Sequence, residues 1–229
     1  MRYTLRLFLP RGEDQKLYPT DESWQGGIMQ LYTACTPLVR DLLRKISTET
    51  AGVPPALSEQ RLDPSGVDGE AVWFAQSNEA ADDAVGLVQP SAERMQTIRT
   101  LDGQCGPKRP LLMVNPQWKE RDDPFDALAR KGGFLGALGN VLGGKAEMEE
   151  ELERIGFVDT YTLAEYVCRG SRICLQLSYP YGWTASYYDS SGWNSLLSGA
   201  PKRPTYQEIE DALKAADVPF RFTEFDEIV

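Results

Sequence analysis

The polar side chains best placed to contact a ligand or partner follow a short buried strand. Residues 111–114 form an uninterrupted apolar run, which is typical of a strand buried on both faces of a sheet. Asn115, Gln117 and Trp118 come directly after this run. Ligands and partners of open α/β sheets bind at the carboxyl ends of the strands, so we predict that these three residues form part of an interaction surface.

The composition removes several classes of enzyme. None of the 229 residues is a histidine, so imidazole-activated serine or cysteine nucleophiles and histidine-ligated zinc are excluded. Carboxylate, lysine, tyrosine and cofactor chemistry remain, but no spacing favours them. We therefore predict no catalytic residue, no metal site and no cofactor. The 34 acidic and 24 basic residues give a net charge of -10, which argues against nucleic acid as a partner.

The four cysteines are predicted to be structural thiols. They lie mostly in apolar stretches and show no C-x-x-C spacing. Cys168 and Cys174 are close enough in sequence to face each other across a hairpin, so a disulfide between them stays open as an alternative.

Residues 139–146 resemble a phosphate-binding loop but depart from it at one essential position. The G-x-x-x-x-G-K spacing is present, whereas Ala146 stands where the loop needs a magnesium-binding serine or threonine. The wider segment 132–144 is glycine-rich and apolar, with Phe134, Leu135 and Leu138. We interpret it as a flap that contacts a membrane surface or a partner protein, and packing against the protein's own core is the alternative.

Aromatic residues are concentrated between positions 179 and 193. Tyr181, Trp183 and Trp193 belong to this region, and Arg169 precedes it at a predicted strand turn. Arginine with aromatic neighbours is typical of protein interfaces, so we predict that these four residues belong to an interaction surface. The alternatives are ordinary packing within a sheet, and an anion clamp in which Arg169 works beside a tyrosine general acid.

The order of the elements predicts an α/β fold. Strands and helices alternate in the first half, which favours parallel strands, with a kinked or split helix at Pro37 and an irregular excursion at 47–69. Residues 157–188 predict an antiparallel meander of three strands, and Thr205 with Glu208 predicts a capping box. We predict one domain over 1–229, built as three layers around a mixed sheet, parallel then antiparallel, with helices on both faces. We expect no membrane-spanning helix and no signal peptide.

Several motifs in a fixed order resemble a known family, the domain of unknown function 1995, which occurs in cyanobacteria and in plastid-targeted proteins of plants and algae. The motifs are Leu-Leu-Met-Val-Asn-Pro-Gln-Trp at 111–118, Phe-Leu-Gly at 134–136, Arg-Gly at 169–170, Pro-Tyr-Gly-Trp at 180–183, Arg-Pro-Thr-Tyr at 203–206 and the segment 19–43.

The resemblance implies a cellular context. Family members include a factor required for photosystem II accumulation, so the resemblance implies a non-enzymatic auxiliary or assembly factor that docks on a photosystem. The expected partners are photosystem subunits or assembly intermediates, with peripheral contact to the thylakoid. The expected location is the chloroplast stroma or the cyanobacterial cytoplasm. A nucleotide- or small-ligand-binding enzyme and a permanent peripheral subunit of a photosynthetic complex are the alternatives.

Overall fold

The computed structural model describes residues 1–7, 9, 27–63, 65–117 and 144–220. It is an α/β structure with both parallel and antiparallel strand pairs, which confirms the predicted class. The chain forms two compact units. Of the described residues, unit one contains those in 1–7, 27–117 and 144–159, and unit two contains Leu9 and 160–220. The single-domain interpretation stays a prediction.

Unit one contains five strands in the spatial order β2-β3-β4-β5-β1. Their bounds are Arg2–Arg6 (β1), Ala56–Arg61 (β2), Ala71–Gln76 (β3), Ala84–Val88 (β4) and Leu111–Val114 (β5). Strand β5 lies between β4 and β1 and is parallel to both. All four of its residues are buried, as the apolar run predicts.

The parallel arrangement predicted for the first half does not extend to β2 and β3, which pair antiparallel with each other and with β4. Only residues 77–83 connect β3 to β4, including one 3₁₀ turn at Ala80–Asp82. A parallel crossover needs a dozen or more residues, so this connection permits only an antiparallel pair.

Helices pack on both faces of the sheet in unit one. They are α1 (Ile28–Ala51), α2 (Met95–Cys105) and α3 (Gly144–Ile155). Gly86 in β4 faces α1, because a Cβ built on it would lie 3.2 Å from Leu43 Cδ1. The neighbouring Val85 and Leu87 point the other way, into a buried cluster that the apolar faces of α2 and α3 complete.

Two parts of the predictions for the region of α1 were wrong. Pro37 does not split the helix, which runs unbroken from Ile28 to Ala51, and the alternative of a kink at Pro37 stays a prediction. The proline lies on the exposed side of the helix, where water can bind the carbonyl group that loses its N–H partner. The segment 47–69 is not wholly irregular, because it contains the end of α1 and all of β2. Strand β2 is polar and lacks alternating apolar residues, so only its pairing with β3 reveals it.

The described part of unit two is an antiparallel meander with a helix. Its strands are β6 (Phe157–Cys168, starting in unit one), β7 (Ser171–Ser178), β8 (Trp183–Asp189) and β9 (Gly192–Ala200), in that spatial order. The meander therefore has one strand more than predicted. The sequence also predicts an edge strand over residues 220–225, all of which except Phe220 lie outside the described residues.

Helix α4 (Tyr206–Ala215) closes the core of unit two. Its amino terminus has the predicted capping box, in which the Thr205 side chain accepts from the Glu208 N–H and the Glu208 carboxylate accepts from the Thr205 N–H at 2.8 Å. Ile209 and Leu213 of α4 are fully buried with the inward residues of β7 and β8. Across the described ranges of both units, no helix is long and apolar enough to cross a bilayer.

Candidate interaction surface

Asn115 directly follows β5 and forms hydrogen bonds with the residue that follows β1. Its φ of 48° is the left-handed conformation that asparagine tolerates better than most residues. The side-chain Oδ1 accepts a hydrogen bond from the Leu7 N–H at 2.6 Å, and Nδ2 donates to the Leu7 carbonyl at 3.2 Å. The amide thus acts as an extra backbone partner for β1, and both of its polar atoms are engaged.

Gln117 also forms hydrogen bonds with backbone groups, one of them in the turn that follows β4. Its Nε2 donates to the carbonyl oxygens of Gln89, at 2.7 Å, and Asp68, at 3.1 Å. Asn115 and Gln117 therefore lie at the carboxyl end of β5 as predicted, while their place in an interaction surface stays a prediction. Trp118, which was predicted with them, lies outside the described residues.

An ion pair between Glu70 and Arg94, which the sequence does not predict, lies near the same ends of the strands. The side chain of Glu70, just before β3, is 1% exposed and that of Arg94 is 26% exposed. Glu70 accepts a hydrogen bond from the Arg94 Nε at 2.5 Å and another from the Ser91 N–H at 2.7 Å. The antiparallel β3 brings Glu70 to the carboxyl end of β4, so only the strand topology reveals the pair.

Gly69 is required by the close approach of Gln89. Gln89 is fully buried and donates from Nε2 to the Gly69 carbonyl at 3.2 Å. Gly69 has φ +66°, and a Cβ on it would lie 2.7 Å from the Gln89 Nε2 and 3.1 Å from the Tyr32 Cβ. An alanine here would be both conformationally strained and overpacked.

We expect Gly69→Ala to lower the free energy of unfolding by about 2–4 kcal/mol, measured by urea denaturation followed by circular dichroism. Gly66→Ala is the matched control, because Gly66 has φ +70° but nothing within 4 Å of a built Cβ. That control should lose only the conformational part, about 1 kcal/mol. Equal losses for the two variants would contradict the crowding at Gly69.

The strands of unit two present a partly exposed side, which we call the outer face. Alternate residues of β7, from Ser171 to Leu177, are buried, and the residues between them are only partly buried. The strand pairing places these intermediate residues and their neighbours on one side of the meander. The outer face comprises Tyr161, Leu163, Glu165, Val167, Arg172, Cys174, Gln176, Thr184, Ser186, Tyr188, Trp193 and Ser195.

Arg172 lies at the centre of an aromatic cluster on the outer face. Its guanidinium carbon is 5.2 Å from the ring centre of Tyr188 and 5.4 Å from that of Trp193. The two rings meet edge to face with centroids 5.3 Å apart. Arg172 also donates to the Glu165 carboxylate at 3.1 Å. Cation–π contacts and this ion pair hold the guanidinium in a fixed position.

Arg169, the arginine predicted for this surface, has a different environment. It forms the β6–β7 turn with Gly170, and both have positive φ, as a two-residue hairpin turn of type I′ requires. Its Nη1 lies 3.7 Å from the Glu210 carboxylate of α4, and its guanidinium carbon is 5.8 Å from the Phe220 ring centre. Arg169 thus lies beside one exposed aromatic ring, while Arg172 lies beside two, and the place of Arg169 in an interaction surface stays a prediction. The turn at 190–191 aligns Tyr188 with Trp193, and the β7–β8 turn at 179–182 brings Tyr188 beside Arg172.

The aromatic residues predicted for the surface divide into two groups. Trp183 is only 7% exposed and packs in the core of unit two, with the Arg203 guanidinium carbon 5.5 Å from its ring centre. Tyr181 is 80% exposed at the β7–β8 turn and Trp193 is 45% exposed. Tyr181 and Trp193 are thus available for contact, whereas Trp183 supports the sheet from within.

All four cysteines are free thiols. Cys174 lies opposite Glu165 in the β6–β7 strand pair, and Glu165 is three residues before Cys168. Residues an odd number of positions apart in a strand point to opposite faces of the sheet, so Cys168 and Cys174 cannot form the disulfide considered as an alternative. Burial raises the pKa of Cys35 to about 12 and that of Cys174 to about 11. Burial also raises the pKa of Cys105 and of Cys168. Protonated thiols are poor nucleophiles, so these residues act in packing.

A cleft of about 460 Å³ at the amino end of β1 contains Arg2. Its guanidinium is almost completely engaged: it donates to the carbonyl oxygens of Asp102, Gly106, Arg109 and Met1, and it pairs with the Asp102 carboxylate. These bonds satisfy carbonyl groups at the carboxyl end of α2 and leave little capacity to bind an anion.

The predicted flap residues Phe134, Leu135 and Leu138, and most of the segment that resembles a phosphate loop, lie outside the described residues. Their roles therefore stay predictions. Helix α3, which follows the flap, buries Met148 and Leu152 as its pattern predicts.

Comparison with known proteins identifies the family. No curated protein and no solved structure matches the chain. One family model does match, that of the domain of unknown function 1995 (DUF1995), over residues 2–211. This range includes every described element from β1 to the amino-terminal half of α4. The chain therefore belongs to the DUF1995 family.

Proposed function

We propose that this protein is a non-enzymatic auxiliary factor that docks on other proteins through the outer face. We further propose that its partner is a photosystem or an assembly intermediate of one, with photosystem II favoured, at the thylakoid membrane. The protein would then act in the chloroplast stroma or the cyanobacterial cytoplasm. The resemblance of the motifs to a photosystem II accumulation factor supports this cellular context, and the geometry of unit two supports the docking mode.

The observation that carries the proposal is the cluster of Arg172, Tyr188 and Trp193. Tyrosine, tryptophan and arginine are the residue types that contribute most to binding at protein interfaces. The two rings are 41% and 45% exposed, and their contacts with Arg172 restrain them before any partner arrives. A restrained aromatic surface loses little side-chain entropy when it binds.

The charge distribution of the outer face agrees with docking. Its two charged members, Arg172 and Glu165, form an ion pair with each other. The remaining members are aromatic, aliphatic or small polar residues and a thiol. Depletion of charge is the compositional feature that distinguishes the centre of an interface from the rest of a protein surface.

The polar groups at the carboxyl end of β5 favour docking over the enzymatic alternative. An enzyme would need side chains there that are free to contact a substrate. Asn115 and Gln117 instead bond to backbone groups, and Glu70 is bonded to Arg94 and the Ser91 N–H. These groups hold the ends of the strands in place.

The proposal predicts that Arg172→Ala and Trp193→Ala each weaken retention of photosystem subunits at least about tenfold. The experiment uses the full chain as bait in detergent-solubilised thylakoids, with quantitative mass spectrometry of the retained proteins. Leu38→Ala is the control, because Leu38 is 46% exposed on α1 in unit one and should not affect retention.

Two outcomes would contradict the proposal, and they are distinguishable. Unchanged retention by both outer-face variants would exclude this face as the docking surface. Specific retention of proteins unrelated to photosystems, lost in the same variants, would keep the docking face and exclude the proposed partner.

A further inference from the structure

Strand β9 is an edge strand without charged residues or proline, which are two of the usual protections against pairing. Among the described strands it is bonded only to β8. Its nine residues, GWNSLLSGA, include no charged residue and no proline. An exposed edge of this kind is a template for a strand from another chain.

Strand β2, the edge strand of unit one, carries the charged residues that usually protect an edge. Among the described strands it is bonded only to β3, and it contains Glu59 and Arg61. The Glu59 carboxylate accepts from the Tyr32 hydroxyl, and the Arg61 guanidinium carbon lies 4.3 Å from the Tyr32 ring centre. Charged side chains on an edge strand disfavour pairing with a further strand, and β9 lacks them.

The register of the β8–β9 hairpin shows which backbone groups point to the open edge. Asp189 and Gly192 close a two-residue turn and therefore form a hydrogen-bonded pair. Hydrogen-bonded and non-hydrogen-bonded pairs alternate along an antiparallel ladder, so Trp193 and Ser195 direct their N–H and C=O groups away from β8. Beyond Ser195 the register shifts, so the regular part of the open edge is Gly192–Ser195.

We infer that the β9 strands of two copies of this chain pair antiparallel about a two-fold axis at Asn194. In this arrangement Trp193 exchanges both backbone hydrogen bonds with Ser195 of the partner subunit, and the symmetry repeats the exchange. The two Asn194 residues face each other as a non-hydrogen-bonded pair. An uncharged strand can pair with its own copy because no like charges are placed opposite each other.

The interface is small, so the dimer is weak. A single strand pair over so short a segment buries much less than the roughly 1,200 Å² typical of stable complexes. We expect a dissociation constant on the order of tens of micromolar or higher. Sedimentation equilibrium of the full chain from about 1 µM to about 1 mM should show a reversible monomer–dimer equilibrium.

Cross-linking at Asn194 tests the register directly. Cα atoms of a non-hydrogen-bonded pair are about 4.5 Å apart, which lies within the range of a disulfide. Asn194→Cys should therefore give a disulfide-linked dimer under mild oxidation, seen on a non-reducing gel. Ser198→Cys is the control, because Ser198 is exposed in the same strand but lies beyond the shift in register. The unsubstituted chain provides the background from its four native thiols.

Ser195→Pro tests the hydrogen bonds. It removes an N–H that points to the open edge, where proline is tolerated in a strand, and it should raise the dissociation constant at least about tenfold. Ser195→Ala keeps the N–H and should leave the dimer intact. A chain that stays monomeric throughout, or cross-linking no faster at 194 than at 198, would overturn the inference.

The dimer and the proposed docking can fail independently. Arg172→Ala changes the outer face but no backbone group of β9, so it should weaken partner retention and preserve the dimer. Ser195→Pro should weaken the dimer, but it serves only as a test of the dimer, because Ser195 also belongs to the outer face. Loss of the dimer in Arg172→Ala, with the fold intact by circular dichroism, would exclude a dimer edge that is separate from the docking face.

Discussion

Glu70→Ala is expected to lower the free energy of unfolding by about 3–5 kcal/mol. The carboxylate is 1% exposed and bonded to both the Arg94 guanidinium and the Ser91 N–H. Its removal leaves a half-buried arginine, 26% exposed, without its counter-ion and an N–H group without its acceptor. Both groups then bear their desolvation cost uncompensated. Urea denaturation followed by circular dichroism measures the loss.

Two controls separate the buried pair from a general effect of removing a charge. Glu70→Gln keeps an acceptor for the Ser91 N–H but loses the charge, so its loss should lie between those of the wild type and Glu70→Ala. Asp41→Ala removes the exposed i,i+3 pair with Arg44 and should cost less than about 1 kcal/mol. A loss below about 1 kcal/mol for Glu70→Ala would show that the pair does not stabilise unit one.

Trp183→Ala is expected to lower the free energy of unfolding by about 3–5 kcal/mol, because it removes a large side chain from the core of unit two. The ring is 7% exposed, belongs to the same buried cluster as Ile209, and supports the Arg203 guanidinium. Thermal or urea denaturation followed by circular dichroism avoids the fluorescence change that loss of a tryptophan causes.

Trp193→Ala is the matched comparison for the same residue type in the same meander. Its ring is 45% exposed and its contacts are with Arg172 and Tyr188, so we expect a loss of about 1 kcal/mol or less. Similar losses for the two tryptophans would contradict the assignment of Trp183 to the core and Trp193 to the surface. If Trp193→Ala destabilised the protein strongly, a loss of partner retention in this variant could no longer be attributed to the outer face.

Several elements were predictable because their sequence carries a local pattern. The apolar run of β5 and the capping box of α4 depend on neighbours within a few residues. Strands β2 and β9 were not predicted, because β2 is polar and β9 is rich in serine and glycine. Edge strands bury less surface than central ones, so their pairing partner determines them more than their composition does.

The candidate interaction residues likewise combine features that the sequence predicts with features that only the structure shows. The sequence predicted that Asn115 and Gln117 end a buried strand, but only the structure shows that their amide groups bond to neighbouring backbone. It also indicated that Arg169 has aromatic neighbours, and the structure places it beside Phe220. Only the strand register shows that Arg172 lies beside Tyr188 and Trp193.

By itself, the sequence determined the α/β class, the family and the local ends of strands and helices, because short-range patterns of polarity, capping and turn residues encode them. Tertiary structure decided the Glu70–Arg94 pair, the outer face and the open edge of β9. These features join residues that are distant in sequence or depend on which strands are neighbours. Their formation depends on strand order and register, which no local pattern specifies.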